Sequence, residues 1–226
     1  MRVVIGDQAH GSVYKALSLL GLGKRRVELV ASDEQGRLRV DHLPPLDAHT
    51  LVILQAGHVS TGAYDDFETI CDLANKAGAW VHVDGAFGLW AAASSQLQHL
   101  TRGFEKADSW CADAHKTLNA PYDCGIVLCR DRRALKQAMA AEGSYLQESP
   151  THRDGMFYTP DMSRRSRSVD LWVTLKYLGR AGVAQLVEGL VACAQEFGRL
   201  LSGAEGFEVL NEVVFSQCLV RCVSRE

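Results

Sequence analysis

Leu51-Val52-Ile53-Leu54, a glycine-containing loop over residues 56–65, a helical pattern over 66–77 stopped by Gly78, and Ala79-Trp80-Val81-His82-Val83-Asp84 form the stretch that decides the fold. The first run is continuously apolar and the last nearly so, the signature of strands buried on both faces. Two such strands joined through a helix by short connections make a parallel crossover unit. Upstream, residues 12–20 read as a helix with Ser12 as its N-cap, an apolar face of Val13, Ala16, Leu17 and Leu20, and Gly21 and Gly23 as its stop. A short strand over 27–31 and a turn at Asp33-Glu34-Gln35-Gly36 follow.

Downstream, 108–112 and 124–129 read as further strands, with a helix over 132–141 behind them. The expected architecture is an α/β domain with a mostly parallel sheet flanked by helices. The pattern changes near residue 160. Amphipathic helices over 168–178 and 182–201 precede strands over 207–210 and 213–222. The predicted organisation is therefore a large domain over 1–160, then a linking helix and the start of a small α+β domain over 161–226.

Composition narrows the function. The 226 residues carry 24 Lys and Arg against 27 Asp and Glu, a formal charge of −3, with no long run of one sign. The strong basic field of a nucleic-acid binder is missing, and Arg164-Arg165-Ser166-Arg167 reads as a solvated or structural cluster. No apolar run approaches the roughly 20 residues of a membrane span, and the N-terminal apolar run is too short for a signal peptide. Seven scattered cysteines form no Cys-x-x-Cys pair. Reduced thiols in a cytoplasmic protein are the expectation.

In parallel sheets reactive groups gather beyond the carboxyl ends of the strands. Asp84 ends one strand, and Asp113-Ala114-His115-Lys116 follows another. A lysine at the mouth of a buried strand is desolvated, and its neutral amine then forms Schiff bases. Asp84 has two readings: a cap for the next helix, or a carboxylate that keeps a heteroaromatic nitrogen protonated, worth about 4 kcal/mol at 4 Å and an effective dielectric near 20. Protonation of that kind turns a pyridine ring into an electron sink. His10, in Asp7-Gln8-Ala9-His10-Gly11-Ser12, reads as a helix cap, a core residue or a ligand. A mixed metal site from His82 with Asp84 and Asp113 with His115 is the weaker alternative, because it leaves Lys116 without a role.

Three segments in order, Asp7-Gln8-Ala9-His10, His82-Val83-Asp84-Gly85-Ala86-Phe87-Gly88 and Asp113-Ala114-His115-Lys116, resemble the pyridoxal-phosphate-dependent group II amino-acid decarboxylases. These are enzymes of fold type I, the aspartate-aminotransferase superfamily, and the resemblance extends through Ser163-Arg164-Arg165 and the helix beyond. It implies a pyridoxal 5'-phosphate cofactor, a Schiff base on Lys116 and Asp84 on the pyridine nitrogen. It further implies His10 and Ala86 on the two ring faces, and His115 near the phosphate and the substrate carboxylate. Tyr145 would assist protonation from a mobile loop, although an ordinary aromatic at a helix end fits the same residue.

The implied activity is a carboxy-lyase of amino-acid metabolism acting on an L-amino acid, in a homodimer whose site lies at the interface. An aminotransferase and an inactive fragment are the alternatives. The family's subunits are longer at both ends, and its glycine- and serine-rich phosphate-binding segment, upstream of the His10 motif, has no equivalent here. The chain is accordingly expected to be a truncated member. Its loop Gly57-His58-Val59-Ser60-Thr61-Gly62 departs from the family's Thr- or Asn-rich pattern, which makes His58 a candidate contact to cofactor or substrate.

Overall fold

A computed structural model describes residues 1–141, 143–146, 149 and 151–223. Six strands form one sheet: β1 (Arg2–Gly6), β2 (Val27–Val30), β3 (Thr50–Gln55), β4 (Trp80–Asp84), β5 (Ser109–Asp113) and β6 (Gly125–Cys129), in the spatial order β2-β1-β3-β4-β5-β6. Every pairing is parallel except β5–β6. The N-terminal apolar run, read in the sequence only as too short for a signal peptide, forms strand β1. It is nevertheless central, with Val3, Val4 and Ile5 fully buried.

Strand alternation sends side chains to two faces. Toward one face point Val4, Val52, Leu54, Val81 and Val83, packed under α2 (Phe67–Ala77) through Phe67, Ile70, Cys71 and Ala74. Asp66 caps that helix by accepting from the Thr69 N–H, and Gly78 ends it in the left-handed conformation at φ 71°. Toward the other face point Val3, Ile5 and Ile53, covered by Val13 and Leu17 of α1 (Gly11–Leu19). Helices on both faces make a doubly wound sheet.

After α3 (Arg132–Met139), the two predicted C-terminal helices run together as α4 (Arg167–Ser202), broken at Gly179, where φ is 61° and ψ −176°. Val183, Val187 and Val191, at helical spacing, seat α4 on the main core. The predicted strand over 213–222 is shorter than expected: only β8 (Val220–Cys222) pairs, antiparallel, with β7 (Phe207–Val209). The intervening chain does other work. Phe215 is fully buried with its ring edge-on to Tyr64 at 5.6 Å. The Asn211 amide donates to the Thr61 carbonyl and accepts from the Leu219 N–H. Those side-chain bonds occupy groups that a ladder would need.

All seven cysteines are free thiols. Among the described residues no helix is long and apolar enough to cross a membrane. The arginine cluster is structural: Arg167 pairs with Asp123, Arg165 donates to the Tyr122 carbonyl and pairs with Asp170, and Arg164 lies 3.8 Å from Asp161.

Candidate active site

The carboxyl ends of β3, β4 and β5 meet at a cleft of about 330 Å³. Strand register places Gln55 opposite Asp84, and Asp84 opposite Cys111. The turns beyond the strands are laced together. Ala56 N–H donates to the Asp84 carbonyl (2.7 Å), Gly88 N–H to the Ala56 carbonyl (3.0 Å), and the buried Tyr64 hydroxyl to the Gly88 carbonyl (3.0 Å). Gly88 has no room for a side chain, since an added Cβ would lie 2.5 Å from both the Ala56 oxygen and the Tyr64 hydroxyl. Asp113 N–H donates to the Ala86 carbonyl, and the Thr117 hydroxyl to the Phe87 carbonyl at 2.8 Å. The segments 84–88 and 113–117 are thereby held as one rigid rim.

Lys116, Asp84, Ala86 and His10 all line this cleft, together with Ser12, Gln55, Phe87, Cys111 and Asp113. Lys116 Nζ sits 4.5 Å from the centre of the Phe87 ring and 2.9 Å from Asp113 Oδ2. Asp84 Oδ1 accepts from the Ala86 N–H (3.2 Å) and the Cys111 thiol (3.6 Å), while its second oxygen has no hydrogen bond among the described residues. His10 is the N-cap of α1: its Nδ1 accepts from the Ser12 N–H and lies 2.8 Å from the Ser12 hydroxyl. His10 thus caps a helix while lining the cleft; Asp84 lines the cleft too but caps no helix, since Phe87 is the N-cap of the short turn over Gly88–Ala93 and Asp84 only spans to the Ala86 N–H.

The structure leaves three candidates outside the cleft lining. His115 turns away from it: Nδ1 accepts from the Cys124 N–H at 3.0 Å and the ring lies on Tyr122, centroids 4.3 Å apart. Tyr145 sits in a turn, 81% exposed. His58 is buried inside its own loop, where Nδ1 accepts from the Ser60 and Thr61 N–H groups, and burial pushes its imidazole below the ordinary range. It organises the loop rather than contacting the cleft. Of the residues named in the metal alternative, His82 Nδ1 lies 2.8 Å from the Ser109 hydroxyl, and Asp113 pairs with Lys116. Sequence reading gave Gln55, Phe87 and Cys111 no role in the site, and gave Asp113 one only in the metal alternative. The available signal was positional for three of them: Gln55 and Asp113 end β3 and β5, and Phe87 lies three residues past β4, whereas Cys111 sits in the middle of β5.

A doubly wound sheet with an aspartate ending one strand and a lysine just past the next is the layout of fold type I pyridoxal-phosphate enzymes. The structure of mouse CSAD in apo form superposes with a TM-score of 0.86 at 26% identity, covering 98% of this chain and 48% of that one. Oryza sativa TDC with PLP and tryptamine superposes at 0.88, with 25% identity and coverage of 98% and 48%. The profile of the pyridoxal-dependent decarboxylase conserved domain matches residues 1–222, and the chain belongs to that family. Curated relatives include an aromatic-L-amino-acid decarboxylase of Bacillus atrophaeus, 30% identical over 92% of this chain and 46% of the relative. Another is an L-2,4-diaminobutyrate decarboxylase of Acinetobacter baumannii, 28% identical over 99% and 46%. The chain thus spans about half the length of the curated relatives it matches.

The residues present fit the ring and aldehyde of pyridoxal phosphate. An amine faces the cleft, and one carboxylate beside it keeps an oxygen free for a ring N–H. Among the described lining residues Lys116 is the only lysine or arginine, so they supply no separate cation for the phosphate.

Proposed function

We propose that the chain carries the catalytic half-site of a pyridoxal-phosphate-dependent decarboxylase of an L-amino acid. The observation that carries this reading is the convergence of Lys116, Asp84, Ala86 and His10 on one cleft, in a chain of the matching family. The bound cofactor supplies an electron sink for the pair left behind when carbon dioxide departs. Lys116 would hold the cofactor through its amine. Asp84 would offer its free oxygen to the pyridine N–H, a charge-assisted hydrogen bond. Ala86, lacking any side chain beyond Cβ, would leave room for one ring face, and the His10 imidazole would offer a surface for the other.

Tyr145 takes part only if its turn moves, and His115 acts through its neighbours rather than by touching the ring. The division into a cofactor-binding part over 1–160 and a linking helix with a small domain over 161–226 belongs to the same reading. So do a homodimer with the site at its interface and a cytoplasmic location. Support for these comes from the family resemblance and from the free cysteines.

Borohydride trapping tests the proposal. Pyridoxal phosphate is added to the purified chain, the adduct is reduced, and the labelled lysine is located by mass spectrometry. Label confined to Lys116, and reduced in Asp84→Ala, is the expected outcome. Label spread over surface lysines overturns it. Product analysis on a loaded chain then separates amine plus carbon dioxide from the keto acid of a transamination.

A further inference from the structure

We infer that Asp113 is the counter-ion that holds Lys116 before a carbonyl ligand arrives, a positioning residue that keeps the amine off Asp84. The inference rests on Lys116 being the reactive amine of the site. Two carboxylates line the cleft, yet the Lys116 ammonium pairs with only one of them, at 2.9 Å from Asp113 Oδ2. Asp84 keeps a free oxygen for another partner.

Asp113 is held for this role from both sides. Its N–H donates to the Ala86 carbonyl, and its own carbonyl accepts from Trp90 Nε1 at 3.3 Å. The His115 side chain stands behind its carboxylate, with Nε2 3.7 Å from Oδ2. The Cys124 N–H donates to His115 Nδ1, so a neutral ring carries its proton on Nε2, the nitrogen facing Asp113. Tyr122 against the ring fixes its plane. Asp113 Oδ2 therefore has Lys116 Nζ at hydrogen-bond distance and the His115 ring as a nearby neighbour beyond it. The other titratable groups around it are Asp84, Cys111 and His10 in the cleft, with Cys124 and Tyr122 beyond His115.

An ammonium is not a nucleophile. For Lys116 to form an imine, one proton passes from Nζ to Asp113 and the freed amine forms its bond to the carbonyl carbon. The carbonyl oxygen then leaves as water with the amine's two remaining protons. Asp113 thus slows the capture of electrophiles by an empty site and receives the proton when capture occurs.

Competitive labelling of the full chain with trinitrobenzenesulfonate at pH 8 tests this, with exposed Lys24 as the internal reference. Asp113→Asn is expected to raise the Lys116-to-Lys24 labelling ratio about three- to tenfold, because the amine loses the carboxylate that holds it at 2.9 Å. Asp113→Glu should restore the slow rate, which a merely loosened loop would not do. In the wild type, high salt should raise the same ratio by screening the pair. An unchanged ratio in Asp113→Asn and in high salt overturns the inference. A chain that shows the labelling shift but traps no pyridoxal phosphate overturns the cofactor reading and leaves Asp113 as the lysine's counter-ion.

Discussion

Asp84 and Cys111 are register partners across β4 and β5, and the Cys111 thiol lies 3.6 Å from Asp84 Oδ1. Burial, reinforced by the Asp84 charge, pushes that thiol up to about 12. Cys111 therefore stays protonated at neutral pH and donates to the carboxylate instead of competing with it as a thiolate. Since the thiolate is the reactive species, iodoacetamide at pH 8 should modify the exposed Cys193 and Cys222 and spare Cys111 and the buried Cys71. Peptide mapping after brief exposure checks this. Modification of Cys111 at the rate of Cys193 would mean that the Asp84 side of the cleft is open and wet.

The close approach of two turns gives a stability prediction. Gly88→Ala would drive a methyl group to 2.5 Å from the Ala56 oxygen and the Tyr64 hydroxyl. Neither is the free end of a flexible chain, so the backbone must shift, and a loss of about 1–3 kcal/mol is expected. Gly11→Ala is the control. Nothing lies within 4 Å of its added Cβ, and it opens α1. Its effect should be near zero or stabilising by up to about 1 kcal/mol. Urea unfolding of the two variants compares them directly, and equal midpoints would contradict the packing argument.

The sequence disclosed the central β3–α2–β4 unit because both of its signals are local: a continuous apolar run and a capped, glycine-stopped helix. The cleft positions of Lys116 and Asp84 were legible for the same reason, since Asp84 ends β4 and Lys116 stands three residues past β5. What stayed hidden depends on side-chain direction or on distant chain. His115 adjoins Lys116 in sequence, but the Cys124 N–H draws its ring out of the cleft. Residues 213–219 have an apolar strand pattern, yet Phe215 fills a gap beside Tyr64 and Asn211 takes the Leu219 N–H. No short window carries that information.

Asp65 offers a pH test. Its carboxyl is buried, accepting from the Leu38 and Gln55 N–H groups at 2.7 Å each, and burial pushes it up to about 6 from the ordinary 3.8. A raised value means that the folded state holds the proton more tightly than the unfolded chain. The associated stability is full below pH 3.8 and is lost as pH rises through 6. The size of that loss is roughly 3 kcal/mol at 1.36 kcal/mol per unit. Asp65→Asn cannot titrate. It also turns an amide N–H toward one of the two backbone donors, a further cost of about 1–3 kcal/mol. The advantage of the wild type over Asp65→Asn should therefore shrink between pH 4 and 7. A difference that stays constant over this range would show that the two backbone donors outweigh desolvation.

His10 has two separable duties. As the N-cap of α1 it accepts from the Ser12 N–H, and from the rim of the cleft its imidazole can lie against a flat ring. His10→Ala removes both duties and should cost about 1 kcal/mol of stability, the usual penalty for losing a cap. Asparagine caps helices well but offers no aromatic face, so His10→Asn should keep the thermal midpoint of the wild type. Both variants should trap less pyridoxal phosphate at Lys116 under limiting cofactor, because stacking between rings contributes about 0.5–1.5 kcal/mol. The pair of measurements tells the duties apart. If His10→Asn traps as well as the wild type, the ring face is not supplied by His10, and the residue is a cap alone.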